Sequence, residues 1–139
     1  MRFWDASAIV PLIAWQEKTE RLRALLDEDS VMLVWWTTPV ECLSAVSRLR
    51  REEALDEEQV EKAIRHLADL TEAWNEVEPT TRVRNTAMRL LRVHPLRAAD
   101  ACQLAAAITA CNGNPRELPF VCLDERLGEA GRKEGFPVV

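Results

Sequence analysis

The sequence predicts an α/β fold: a three-layer α/β/α sandwich built on a central, mainly parallel twisted sheet. Short apolar runs at residues 2–5, 31–36 and 120–123 alternate with helical stretches, and strands joined through helices pair in parallel and are covered on both faces. The 139 residues, 47% hydrophobic and 29% charged, suit one domain spanning residues 1–139. A chain this long builds a core without a disulfide or a structural metal.

Residues 2–5 form the first strand, ending in Asp5, and Ser7 suits the N-cap of a helix through Ile9, Leu12 and Ile13. Pro11 then falls near the first turn, where its missing N–H costs least. Glu17 to Asp29 reads as a second helix with Leu22, Leu25 and Leu26 inward, and Val31 to Trp36, apolar and β-branched, as a buried strand. Thr38-Pro39-Val40-Glu41 starts a helix with proline at its first position, running to Glu53 with Val40, Leu43, Val46 and Leu49 at helical spacing. Asp56 to Trp74 is amphipathic, with Val60, Ile64, Leu67 and Leu70 on one face and most of its acids on the other. Asn75 to Pro79 reads as a connector, Thr80 to Val93 as an Arg-studded helix, and Pro95 as its break. Leu96 to Cys111 is an Ala-rich helix closed by Asn112-Gly113-Asn114-Pro115. Phe120 to Leu123 forms a strand ending at Asp124, a short helix follows through Gly131, and Phe136 to Val139 adds an edge strand.

Eighteen basic against 23 acidic residues give a net charge of −5, which argues against binding nucleic acid through bulk charge. The distribution is uneven: Glu52 to Glu78 carries ten acids and two bases, whereas Pro79 to Cys111 carries five arginines and one acid. Fifteen of the 18 cations are Arg, whose planar fork suits phosphate or carboxylate. Cys42, Cys102, Cys111 and Cys122 form no C-x-x-C pair and sit in apolar runs, so neither a zinc site nor a disulfide framework is expected. The opening Met1-Arg2-Phe3-Trp4-Asp5 runs straight into a strand and resembles no signal peptide, which points to a cytoplasmic protein.

Four carboxylates stand out. Asp5 is the only charged residue between Arg2 and Glu17, and Asp100 the only one between Arg97 and Arg116. Asp5 and Asp124 each end an apolar strand, at the edge where open α/β sheets place their ligands. Glu41, in the first turn of a helix that follows another strand, should point over the same edge. Converging carboxylates repel, and a divalent cation relieves that repulsion. Mg²⁺ or Mn²⁺ prefers such all-oxygen sites, and phosphodiester hydrolysis is the chemistry they suit.

Each acid also has a purely structural reading. Thr38-x-x-Glu41 fits a capping box, Asp5 and Asp124 could each cap the helix that follows, and Asp100 could pair with Arg97 at i, i+3. For Ser7, a helix cap outweighs a hydroxyl beside a metal. His66 and His94 fall on or near polar helix faces and receive no role. Trp15, Trp35, Trp36 and Trp74 read as core or dimer contacts.

Phe-Trp-Asp5-Ala-Ser7-Ala, Pro39-Val-Glu41 before a helix, Leu96-Arg-Ala-Ala-Asp100-Ala with Gln103-Leu104-Ala105, and Phe120-Val-Cys-Leu-Asp124-Glu-Arg-Leu127 together resemble the PIN domain, specifically the VapC-type toxins. The resemblance covers nearly the whole chain. It implies an α/β/α fold and a Mg²⁺- or Mn²⁺-dependent endoribonuclease whose acidic cluster is Asp5, Glu41, Asp100 and Asp124, serving as catalytic and metal-binding residues. Ser7 matches the hydroxyl beside the first acid. The resemblance also implies an RNA substrate, a homodimer and a small VapB-like antitoxin that blocks the site, with apolar contacts expected near Trp15 and a basic side chain placed among the acids. Two residues depart from the pattern: Cys122 stands where many members have Thr or Ser, and Trp4 where a smaller aliphatic residue is usual.

Two other functions fit parts of the chain. A non-catalytic RNA-binding or regulatory module would use Arg82, Arg84, Arg89 and Arg92 on phosphates and a tryptophan on bases. A phosphotransferase with an aspartyl nucleophile at Asp5 would need a second Asp two residues on, where Ser7 stands, and a lysine for the phosphate. Lys18, Lys62 and Lys133 all lie outside these motifs.

Overall fold

The structure, a computed structural model, describes residues 1–139. In chain order it comprises β1 (Arg2–Trp4), α1 (Ala6–Ile13), α2 (Thr19–Glu28), β2 (Met32–Trp35), α3 (Thr38–Arg51), α4 (Glu57–Ala73), β3 (Asn75–Val77), α5 (Thr81–Val93), α6 (Ala98–Ala110), a 3₁₀ turn (Pro115–Glu117), β4 (Phe120–Val121) and α7 (Glu125–Lys133). The four strands pair in the order β3-β2-β1-β4, all parallel, with Phe3 opposite both Leu33 and Phe120. Because the chain builds outward from β1 to β2 and β3 and then returns to the other side of β1, the order reverses between β1 and β4. That reversal opens a crevice at the carboxyl ends of the strands.

Strand pleating sorts the core into two halves. Phe3, Leu33, Trp35 and Phe120 face α5, α6 and α7, packing with Val83, Leu90, Leu104 and Leu127. Trp4, Met32, Val34 and Val121 face the other way, into Ile9, Leu22, Val46, Val60 and Leu67 from α1 to α4. The phenyl rings of Phe3 and Phe120 stack at 5.5 Å, so even the neighbouring strands β1 and β4 share side-chain contact. With both faces covered, the expected three layers are present. No helix is long and apolar enough to cross a membrane, and the four cysteines are free thiols.

Several local expectations need correction. Residues 75–77 form edge strand β3 where a connector was expected: the exposed Asn75 and Glu76 face solvent, so the strand carries no apolar signature. The expected edge strand at 136–139 reduces to a single parallel bridge, Phe120 to Val138. Asp5, not Ser7, caps α1, accepting from the Ser7 amide at 2.9 Å, and this earlier start leaves Pro11 inside the helix. Ile64, Val40 and Leu43 are exposed, and Ala63 takes the buried place on α4 beside Val60 and Leu67. On α4 the expected face does turn inward, at Val60, Leu67 and Leu70, and only Ile64 falls at its exposed margin.

His94 is buried against expectation. Its ring Nε2 meets Glu134 Oε1 at 2.7 Å, while Arg89 donates to both oxygens of the same carboxylate at 3.1 and 2.9 Å. This cluster ties the end of α5 to the end of α7. Arg89 foremost, with His94, holds the Glu134 carboxyl below its ordinary value of 4.5, so its stabilisation is present at neutral pH and lost as the carboxylate is protonated. Glu134→Gln is expected to lower stability at pH 7 by about 1 kcal/mol, a difference that shrinks as pH falls below 4.5 and is lost once the carboxylate of the folded protein is protonated. Urea unfolding of both proteins across pH measures it.

Candidate active site

The parallel sheet delivers two carboxylates directly to its carboxyl edge. Asp5 follows β1 and is only 3% exposed, because the start of α1 folds over it. Asp124 follows β4 and caps α7, its Oδ1 accepting from the Leu127 amide at 2.7 Å. The structural reading of both residues is therefore correct, and it does not compete with the functional one: capping a helix that starts at the sheet edge is what holds each carboxylate there.

Glu41 and Asp100 arrive from the first turns of α3 and α6. The capping box suggested for Glu41 does not form, since Thr38 is buried inside the helix. Instead Glu41 Oε1 accepts from Thr37 Oγ1 at 3.0 Å and from Gln103 Nε2 at 3.1 Å. Asp100 makes no direct ion pair with Arg97, although the Arg97 charge lies near enough to favour its ionised form. All four acids line a single crevice of about 270 Å³, together with Ser7, Gln16 and Arg48.

The electrostatics reflect this convergence. Burial pushes the Asp5 carboxyl from 3.8 up to about 6 despite the hydrogen bonds from Ser7, and Asp100 adds repulsion. Burial likewise raises Glu41 to about 7, with Asp5 and Asp100 adding to it. Asp100 is raised by burial and by Asp124, against the pull of Arg97 and Arg126. The crevice thus holds more negative charge than its surroundings balance. No three His, Cys, Asp or Glu groups stand close enough together to hold one ion at once.

Two polar side chains organise the acids. Ser7 Oγ accepts from the amides of Leu123 at 3.0 Å and Asp124 at 3.3 Å, clasping the turn after β4 to the turn after β1. The Cys122 thiol lies 3.8 Å from both Ser7 Oγ and Asp5 Oδ2. Burial raises its pKa, so it stays a neutral weak donor where a hydroxyl was expected.

Gln103, which carried no role in the sequence reading, is fully buried and donates to Thr38 Oγ1 at 3.2 Å as well as to Glu41. The available signal was an amide set in the otherwise apolar helix, three residues after Asp100. Among the tryptophans, Trp4, Trp35 and Trp74 are core residues, while Trp15 and Trp36 are exposed. Nothing in the structure pairs the buried Trp4 indole N–H.

A parallel sheet that raises four acids over its order reversal defines a class of protein, and comparison with known proteins agrees. Residues 2–112 match the family model described as PIN domain. The chain belongs to the PIN domain family, and its relatives lie among the VapC-type members. It is 33% identical over 136 residues to Ribonuclease VapC45 of Mycobacterium tuberculosis (strain CDC 1551 / Oshkosh), an alignment covering 98% of this chain and 92% of that protein. The same figures hold for Ribonuclease VapC49 from a second Mycobacterium tuberculosis strain. The fold is also similar to the crystal structure of FitAcB from Neisseria gonorrhoeae, with a TM-score of 0.63 and 18% identity over 99% of this chain and 96% of that one.

The raised Asp5 carboxyl has a measurable cost. A carboxyl with an elevated folded-state pKa stabilises below its unfolded value, here 3.8, and loses that contribution as pH rises through about 6. Asp5→Asn keeps the cap and cannot ionise. In EDTA its melting temperature is expected to match wild type near pH 4 and to exceed it increasingly up to about pH 7, as a series of thermal melts across pH would record.

Proposed function

We propose that the protein is a divalent-metal-dependent endoribonuclease, a VapC-like toxin that cleaves RNA phosphodiester bonds and is inhibited by a cognate antitoxin. The observation that carries this reading is the crevice lined by Asp5, Glu41, Asp100 and Asp124. The names of its full-length relatives support the ribonuclease assignment.

The donor set fits Mg²⁺ or Mn²⁺. It offers carboxylate oxygens, its burial and mutual repulsion leave negative charge to be neutralised, and hard ions of this kind are bound through one or two carboxylates with water completing the shell. An all-protein cage is therefore not required, in keeping with the spacing of the acids. Asp5, Glu41, Asp100 and Asp124 would hold the ion between them, one or two directly and the others through water. When bound, it supplies Lewis acidity to the phosphoryl group and charge stabilisation to the leaving oxygen, so the chain needs no nucleophile of its own. The chain's contribution is placement. Ser7 fixes the Asp124 backbone relative to Asp5, and Thr37 with Gln103 orients Glu41.

The same reading makes the protein a cytoplasmic homodimer held in check by a small VapB-like partner. Trp15, 71% exposed, rims a groove shared with Leu12, Leu55, Lys62 and His66. That groove supports an apolar anchor for the antitoxin, which would place a basic side chain among the acids.

Purified protein freed of its partner is expected to cleave RNA with Mg²⁺ or Mn²⁺ and to stop when EDTA is added. Undiminished cleavage in excess chelator, in a preparation free of contaminating ribonuclease, would overturn the metal mechanism. Asp100→Asn is expected to abolish cleavage while the fold stays intact or gains stability, because the substitution removes repulsion from Asp124 and burial of charge. Thermal unfolding in EDTA, beside a ribonuclease assay on the same preparation, tests both halves. A destabilised but active variant would refute the assignment.

A further inference from the structure

The acidic crevice opens into a second recess. This polar space of about 730 Å³ is lined by Arg97, Asp100, Leu123, Asp124, Glu125 and Arg126, so two of the four acids border both. Arg97 occupies the N-cap position of α6 and Arg126 lies in the first turn of α7. Two elements from distant parts of the chain thus bring guanidinium groups to one opening beside the acids.

Neither arginine is committed elsewhere. Arg97 and Arg126, like eight other arginines, enter no ion pair and donate no side-chain hydrogen bond; what distinguishes them is that both line the recess beside Asp100 and Asp124. Their positions are also electrostatically unusual, because the amino end of a helix favours anions and disfavours cations. No side chain caps α6, so amides of its first turn are available beside Arg97. The recess also carries the carboxylates of Asp100, Asp124 and Glu125, so an anion is held there only where it meets the two planar forks and the helix terminus together, and a polar recess suits a group on a continuing chain better than an enclosed small molecule.

We propose that Arg97 and Arg126 form a phosphate subsite, holding a backbone phosphate of single-stranded RNA next to the phosphodiester that lies over the acids. The inference rests on the ribonuclease reading and deepens it by naming where the substrate is gripped. The subsite resolves a difficulty of the crevice: an uncompensated acidic cluster repels a polyanion, and two cations at its mouth offset that repulsion where the strand enters. Contacts of this kind set register and carry no base preference. The competing role is that of counterions, in which the arginines only moderate the charge of Asp100 and Asp124.

The full chain carrying Asp5→Asn, which retains the helix cap, provides a background that binds without cutting. Fluorescence anisotropy of a short fluorescein-labelled, mixed-sequence single-stranded RNA is followed over a salt series in this background. Adding Arg97→Gln and Arg126→Gln is expected to weaken binding about tenfold at low salt and to flatten the slope of log affinity against log salt by about 0.7, the worth of one phosphate contact on a single strand. Arg21→Gln with Arg65→Gln, the same loss of two charges at exposed positions of α2 and α4, controls for bulk charge and should alter neither. In the chain with Asp5 intact, the double variant is expected to raise KM for RNA in Mn²⁺ with kcat changed less than about twofold.

An unchanged affinity and slope, with Mn²⁺ bound more tightly by the double variant, would assign the arginines as counterions and overturn the subsite. So would a background protein that binds no RNA while the unsubstituted chain cleaves it. Failure of the unsubstituted chain to cleave RNA in Mn²⁺ would instead overturn the ribonuclease reading, whatever the salt slope.

Discussion

Parallel pairing of β1 with both of its neighbours is the constraint on which the rest of the molecule depends. In a parallel sheet every strand ends at the same edge, so whatever follows a strand is delivered to one side of the domain. β1 sits between β2 and β4 with Phe3 in register with both. The turns carrying Asp5 and Asp124 are therefore neighbours before any polar interaction forms. Helices α3 and α6 start at the same edge because one follows β2 and the other packs on it, and they add Glu41 and Asp100. The crevice is thus a consequence of topology, and the hydrogen bonds from Ser7 and Gln103 refine it.

The energetic cost of this arrangement is confined to a small region. Two apolar cores, one on each face of the sheet, supply the stability. Against that background the molecule tolerates an aspartate that is almost wholly buried and a glutamate whose carboxyl titrates near neutrality. Natural folds accept local strain of this kind at working sites because the surrounding packing over-determines the geometry.

Much of this was legible in the sequence, for reasons that can be located residue by residue. Strands β1, β2 and β4 are buried on both faces, so their apolar runs announce them. Asp5 and Asp100 were conspicuous because a carboxylate alone in an apolar run has few structural uses. β3 was hidden because an edge strand with Asn75 and Glu76 facing water looks like a loop. Ser7 was misassigned because serine favours N-caps in general, and only the fold brings its hydroxyl to the amides of Leu123 and Asp124. Gln103 stands out as an amide in an apolar helix, but its partners Thr38 and Glu41 lie far away in sequence, so its role is visible only in the fold.

The two polar clasps have a mechanical corollary. Ser7 binds the turn bearing Asp5 to the backbone of Asp124, and Gln103 binds Glu41 to the same turn of α6 that carries Asp100. The four acids are therefore linked as two jaws, one at the β1–β4 edge and one spanning α3 and α6. A caliper of this kind has a single important coordinate, the gap between its jaws. Because α3 and α6 lie on opposite faces of the sheet, that gap changes for both carboxylates only when the two helices shift together; a slide of α6 alone moves Asp100 away from Glu41 and strains the Gln103 clasp.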